Sequence, residues 1–256
     1  MKSLFLIIIG IVLIIGLPMC SFLTKRTQVT QEIKSPVKNT IFSFFGAPGS
    51  GKGTLADQCV KNLNFKVVST GNLCRAEIAS GSERGKLIKD QTEKGKLVPD
   101  ELITQMVQEW LSKETKDGSP IILDGYPRTQ RQAFIFLNLL KKDFPEYKLR
   151  IVNLAIPDEE IIKRLSDRLV CENKNCQAVY SKALLKGETK CQKCHANLIK
   201  REDDKEEVVK ERLKIYAQHS NELINFYKSA GITIENLNVS GISIPEMFLR
   251  FKTLID

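Results

Sequence analysis

The segment Gly46-Ala47-Pro48-Gly49-Ser50-Gly51-Lys52-Gly53-Thr54 constrains this chain more than any other stretch. It follows a short apolar run, Ile41-Phe42-Ser43-Phe44-Phe45, and opens a stretch with helical spacing. A strand that stops at a glycine-rich turn and continues into a helix makes several backbone N–H groups converge beside the positive end of that helix. Such a loop cradles phosphate, and the lysine at its end reaches the outer phosphates of a nucleotide. Gly46, Gly49, Ser50, Gly51, Lys52, Gly53 and Thr54 are therefore candidate nucleotide-binding residues, with Lys52 as a catalytic cation. Gly53 stands directly after the lysine, where Ser or Thr usually holds magnesium. A metal must then be held elsewhere, through water and carboxylates.

Short apolar runs like the first recur at residues 66–69, 120–123, 149–155 and 232–235, separated by stretches with helical spacing such as 101–111 and 130–140. This alternation predicts a doubly wound α/β domain: helices on both faces of a mainly parallel sheet, in three layers. With 256 residues and 42% hydrophobic composition, the chain has enough material for a sizeable core. Between residues 169 and 204 apolar residues thin out and Cys, Lys and Gly take over, so this insertion needs its own way of staying folded. A long helix then returns to the core through Val208, Val209, Leu213, Tyr216, Leu223, Ile224 and Tyr227.

Residues 4–23 carry no charge and, as a helix, would span about 30 Å, roughly a bilayer core. The segment reads as an anchor or a signal sequence. Leu17-Pro18-Met19-Cys20-Ser21 lacks the small residues of a cleavage site, which favours retention in residues 1–23. Lys25, Arg26, Lys34 and Lys38 beyond it outnumber Lys2 before it, so the positive-inside bias places the long C-terminal part in the cytoplasm. Residues 24–40 read as a polar linker, and 41–256 as the folded domain. Five basic residues and Glu32 give the first 40 residues +4 of the +9 formal charge. The remaining +5 suits an anionic ligand without demanding a nucleic acid.

Four of the seven cysteines fall in the insertion, as Cys171-x4-Cys176 and, fourteen residues on, Cys191-x2-Cys194. Two pairs across a short hairpin suit a tetrahedral zinc site that substitutes for a core too small to form. The first spacing is longer than usual and His195 is a rival ligand. Free thiols, disulfides and a zinc-ribbon nucleic-acid module are the alternatives, the last disfavoured by the shortage of aromatic residues.

From about Ile41 to the C-terminus the chain resembles the adenylate kinase family. The resemblance rests on the variant loop and on Ser69-Thr70-Gly71-Asn72-Leu73-Cys74-Arg75, Gly95-Lys96-Leu97-Val98-Pro99-Asp100, Asp124-Gly125-Tyr126-Pro127-Arg128-Thr129 with Gln132, and Arg201-Glu202-Asp203-Asp204. It implies a monomer with a P-loop core, a helical monophosphate-binding flap (about 69–98) and a mobile lid (about 169–204), often zinc-stapled. The implied reaction is ATP + AMP ⇌ 2 ADP with magnesium.

By resemblance, Arg75 and Arg128 clamp the AMP phosphate, and Lys52, Arg164, Arg168, Arg201 and Arg212 surround the transferred group. The implied ATP site also takes in Gly241, with backbone of residues 240–242 near the base. The AMP site takes in Thr70, Gly71, Lys96, Val98, Gly125, Gln132, Arg201 and Arg212. Thr70 and Gln132 match positions that meet adenine, which favours AMP over pyrimidine monophosphates. Asp124 and Asn72 would order magnesium's water shell; most relatives carry Asp at the second position, so weaker metal handling is expected. This chemistry needs positioning and charge neutralisation rather than a base. A GTP-using AMP kinase, a UMP/CMP kinase and a tethered nucleotide-binding module without catalysis are the competing readings.

Overall fold

The computed structural model describes residues 37–256 other than residue 175. Its elements are β1 (Thr40–Phe45), α1 (Lys52–Leu63), β2 (Lys66–Ser69), α2 (Thr70–Ser80), α3 (Glu83–Glu93), α4 (Asp100–Glu114), β3 (Ile121–Asp124), α5 (Gln130–Asp143), β4 (Lys148–Ala155), α6 (Asp158–Ser166), β5 (Arg168–Cys171), β6 (Val179–Ser181), β7 (Leu198–Ile199), α7 (Glu206–Ser229), β8 (Ile234–Asn238) and α8 (Ile244–Ile255). The main sheet runs β2-β3-β1-β4-β8, and every pairing in it is parallel.

β1 lies at the centre of that sheet and is buried along its whole length. A strand with helices on both faces has no solvent side, which is why apolar residues face both ways instead of alternating with polar ones, and why the buried Ser43 hydroxyl donates to Tyr126 O at 2.8 Å. Phe42 and Phe44 pack with Leu55, Phe65 and Phe251 on the side of α1 and α8, whereas Ile41 joins Val68, Ile121, Leu123 and Phe136 on the other. Phe251 meets Phe42 and Phe44 edge-on, with ring centroids 5.7 and 5.4 Å apart. Aromatic contacts of this kind add to the area term.

The last strand starts two residues later than the apolar run predicts. Gly231 takes a left-handed φ of 70° and the Ile232 N–H donates to Tyr227 O, so the turn after α7 consumes these residues before pairing with Ile151–Ala155 begins.

The insertion folds as a separate antiparallel sheet, β6-β5-β7. Among the described residues no helix is long and apolar enough to cross a membrane. The apolar run 4–23, and with it the expected anchor, lies outside the described residues, as does most of the 24–40 linker.

Register brings the carboxyl ends of three strands together: Phe44 pairs with Asp124, and Asp124 with Ser69. In an open parallel sheet this edge, outside the strand ends where connections part to either face, is where ligands bind.

Candidate active site

The loop after β1 has the form its sequence predicts. Gly46 adopts a φ of 141°, and a Cβ there would lie 2.7 Å from Leu154 O, so only glycine fits. Gly51, at φ 98°, turns the chain into α1. Ser50 is fully buried. Lys52 Nζ folds back over the loop and donates to Gly46 O (2.7 Å), Ala47 O (2.8 Å) and Ser50 Oγ (3.4 Å). Burial pulls the Lys52 ammonium from 10.5 down to about 8; Asp124 opposes the fall, and Arg128, Arg212 and Arg168 add to it. Gly53 sits in the first turn of α1, and a Cβ there would lie 3.4 Å from Asp124 Oδ2. The missing side chain therefore leaves room for the carboxylate at the end of β3.

The flap-side residues gather on the other side of Asp124. Thr70 is buried and donates to Asp124 O (3.3 Å) and Gly125 O (3.0 Å). Arg128 Nε donates to Gly125 O at 2.7 Å, and a Cβ on Gly125 would lie 2.8 Å from Arg128 Nη2. Arg75 lies over Gly71, its Nη1 3.3 Å from where a side chain would begin. Arg75 donates through Nη2 to Asn72 Oδ1 and through Nε to Gln177 Oε1 (2.6 Å), a residue of the insertion. Lys96 is exposed, its backbone N–H donating to Gln91 O. Val98 is buried with Cys74 and Ile88 in the core of this layer.

Gln132 does not face solvent. It is 2% exposed. Its Oε1 accepts from Arg128 N (2.7 Å) and its Nε2 donates to Asp100 Oδ1 (2.8 Å), while Thr129 Oγ1 accepts from Gln132 N (3.0 Å). Thr129-x-x-Gln132 is thus a capping arrangement at the start of α5, a signal visible in the sequence and overlooked there. Each amide atom keeps capacity for one more hydrogen bond.

The lid-side arginines are held by acids. Arg168 pairs with Asp204 through Nε (2.7 Å) and Nη2, and Arg212 Nη1 donates to Asp203 O (2.8 Å) and Oδ2 (3.1 Å). Burial lowers Arg75 and Arg212 from their usual values and brings Arg201 down to about 10, with repulsion from neighbouring arginines adding to it in each case. Burial pushes Asp203 up, but Arg212, Arg201, Arg168 and Arg75 outweigh it and hold it down. Arg164 stands apart, donating to Val239 O (2.8 Å) and Glu160 Oε2 (3.3 Å). Glu160 also accepts from Ser240 Oγ and, at 3.4 Å, from Gly241 N, which ties α6 to the 240–242 turn. Asp100, Glu160 and Gln177 were not singled out from sequence. Only their contacts reveal them.

Lys52, Arg75, Arg128, Arg168, Arg201 and Arg212 thus face one another across a space that holds Asp124, Asp203 and Asp204. Six cations against three carboxylates, several kept below their ordinary proton affinity by burial, form a site whose electrostatic cost is relieved by a polyanion.

In the insertion, the sulfur atoms of Cys171, Cys176, Cys191 and Cys194 lie within 4.8 Å of one another. Cys171 and Cys194 are 3.3 Å apart and Cys176 and Cys191 3.7 Å, far beyond a disulfide bond of about 2.05 Å. Zinc–sulfur distances of about 2.3 Å in a tetrahedron demand sulfur separations of this size. His195 is not part of the group; at φ 61° its N–H donates to Cys191 O. Tyr180 OH lies 3.3 Å from Cys191 Sγ. Burial would push the Cys191 thiol up, yet the Tyr180 hydroxyl and the N–H groups of Lys193 and Cys194 bring it down to about 6. A thiol so disposed is ready to serve as a thiolate ligand.

The family model for adenylate kinase matches residues 44–232. The adenylate kinase of Dehalococcoides mccartyi is 42% identical over 189 residues, covering 73% of this chain and 86% of the relative. That of Archaeoglobus fulgidus is 40% identical over 191 residues, 74% of this chain and 86% of the relative. That of Methanothrix thermoacetophila is 40% identical over 200 residues, 77% and 89% respectively.

Proposed function

The chain belongs to the adenylate kinase family, and we propose that it transfers the terminal phosphoryl group of magnesium-bound ATP to AMP, reversibly, through the cation cluster described above. The observation that carries the assignment of roles is the excess of cations, most of them partly buried, over acids at the carboxyl edge of the sheet. The loop N–H groups and Lys52 hold the ATP phosphates. Arg75 and Arg128 take the AMP phosphate from the other side, so donor and acceptor oxygens face each other across the space beside Asp124. Arg168, Arg201 and Arg212 neutralise the group in flight, their forks kept in place by Asp203 and Asp204. Arg164 and the 240–242 turn border the donor nucleotide. The acceptor is an ionised phosphate oxygen, so no base is required. Thr70 and Gln132 border the adenine of AMP, Gln132 through the hydrogen-bonding capacity its capping role leaves free.

Magnesium fits this site as a phosphate-borne ion: among the described residues no group of three carboxylates or histidines surrounds it. Asp124 would hold its water shell, while the Asn72 oxygen is engaged by Arg75. The ion supplies charge neutralisation on the transferred group. Cys171, Cys176, Cys191 and Cys194 hold a structural zinc that staples the lid (169–204), whose closing over the flap (69–98) excludes water. The domain faces the cytoplasm as a monomer, held to a membrane through residues 4–23.

The test is ADP formation by the full chain with ATP and magnesium, offering AMP, UMP, CMP and GMP in parallel. AMP-only turnover that Arg128→Ala abolishes is expected; nucleotide binding without turnover refutes the assignment. Recovery of the full chain in the soluble fraction of its cell would refute the tether.

A further inference from the structure

Gln177 follows Cys176 at a φ of 45°, a left-handed conformation that residues bearing a Cβ seldom adopt outside Asn and Asp. A glycine would meet this turn without strain, so the side chain asks for a reason. It spans from the cysteine cluster to α2: Oε1 accepts from Arg75 Nε at 2.6 Å, while Nε2 donates to Lys174 O at 3.0 Å and so keeps the amide oxygen turned toward the guanidinium. Asn72 Oδ1 accepts from Nη2 of the same group. Nε and Nη2 form one edge of the guanidinium fork, the edge that grips two oxygens of a phosphate.

We propose that Gln177 is a lid-borne positioning residue whose amide oxygen stands in for a phosphate oxygen on Arg75 until the nucleoside monophosphate arrives. A neutral amide oxygen is a weaker acceptor for a guanidinium than a phosphate dianion, so the exchange runs toward ligand. Until then Arg75 stays aimed and the lid has a foothold on the flap. The incoming monophosphate must displace that foothold, so Gln177 weakens AMP binding and leaves ATP binding, which uses other groups, unaffected. The inference rests on the assignment of Arg75 to the AMP phosphate.

The test is the KM for each substrate in the full chain carrying Gln177→Gly, Gln177→Asn or Gln177→Glu, with zinc content and melting temperature measured on each. Gly relieves the backbone and removes the acceptor. Asn tolerates the same backbone but is one methylene too short to reach Arg75. Both should lower the AMP KM by about two- to tenfold, the span of one hydrogen bond of ordinary net strength, with the ATP KM unchanged. Glu offers Arg75 a charged acceptor and should raise the AMP KM. A Gln177 that merely shaped the knuckle would change zinc content or melting without splitting the two KM values. An unchanged AMP KM in both Gly and Asn variants, a Glu variant that shifts it the same way, or an equal change for ATP overturns the proposal. Arg75→Lys separates the premise from the inference: if it leaves the AMP KM untouched, it is the role of Arg75 that fails.

Discussion

The phosphate-loop core and the cysteine-bearing insertion are held together by different physics. The core buries large apolar side chains on both faces of a five-stranded sheet, with Phe42, Phe44, Phe136 and Phe251 all at most 1% exposed. The insertion has a three-stranded sheet whose buried cluster is Cys171, Ala178 and Cys191, flanked by Cys176, Tyr180, Cys194, Ala196 and Leu198. So little apolar area cannot offset the conformational entropy of ordering the segment. Four sulfur atoms gathered on one point can, once a metal joins them. The lesson is a division of labour: the sheet core is held by packing on both faces, whereas the insertion has a small apolar cluster of its own and four sulfur atoms that a metal could join.

The strongest way to break this comparison is to strike the packed core. Lys52→Ala should lower kcat/KM by about 10³-fold while leaving the fold intact, because it deletes a preorganised charge from a packed scaffold; near-normal turnover would show that the loop is not the catalytic centre. Phe251→Ala should cost about 3–5 kcal/mol in urea unfolding, since Phe42, Phe44 and Phe65 lose their ring partner at once. A loss under about 1 kcal/mol would mean that this layer is not the stabilising one.

On the other side, Cys191→Ser should lower the melting temperature in proportion to zinc lost. Activity should fall with it while the core retains its cooperative unfolding. Full metal content with unchanged melting would show that the insertion does not depend on a metal.

A finer contrast comes from pH. Lys52 is pulled from 10.5 to about 8, so the folded protein releases this proton as the pH rises through about 8 while the unfolded chain keeps it until about 10.5. Stability contributed by this group therefore increases across that window. Binding moves the opposite way: above about pH 8 the uncharged amine no longer attracts phosphate, and ATP affinity should fall by up to about tenfold per pH unit. A titration of ATP binding that stays flat to about pH 9.5 would show that Lys52 remains charged in the free protein. The smallest effect is expected from Asn72→Asp, which should lower the magnesium concentration for half-maximal rate, since a charged carboxylate attracts the ion's water shell more strongly than a neutral amide oxygen does; an unchanged or higher requirement would count against that role.

The sheet, the loop and the cysteine quartet were legible in the sequence because each is written in local spacing. An apolar run buried on both faces, glycines at fixed offsets from a lysine, and paired cysteines keep their meaning wherever the chain goes. The strand starts were legible to within one residue except at β8, where Gly231 and the return bond to Tyr227 delayed the strand by two. What a side chain does once folded was less legible. Gln132 read as a base-contacting residue, and the fold gave it a cap at the start of α5 and a bond to Asp100 as well. Asp203 and Asp204 read as part of a motif, and the fold made them the counter-charges that aim Arg168 and Arg212.

By itself the sequence determined that this chain makes a phosphate-binding loop at the end of a buried strand and that four thiols lie in one short insertion, because backbone sterics and ligand spacing act over a few residues. Only the tertiary structure decided which arginines share one space, which acids hold them, and that Gln177 meets Arg75 across 102 positions of chain. Such pairings join groups distant in sequence, and their energies depend on burial and on distances of about 3 Å that only packing of the whole chain sets.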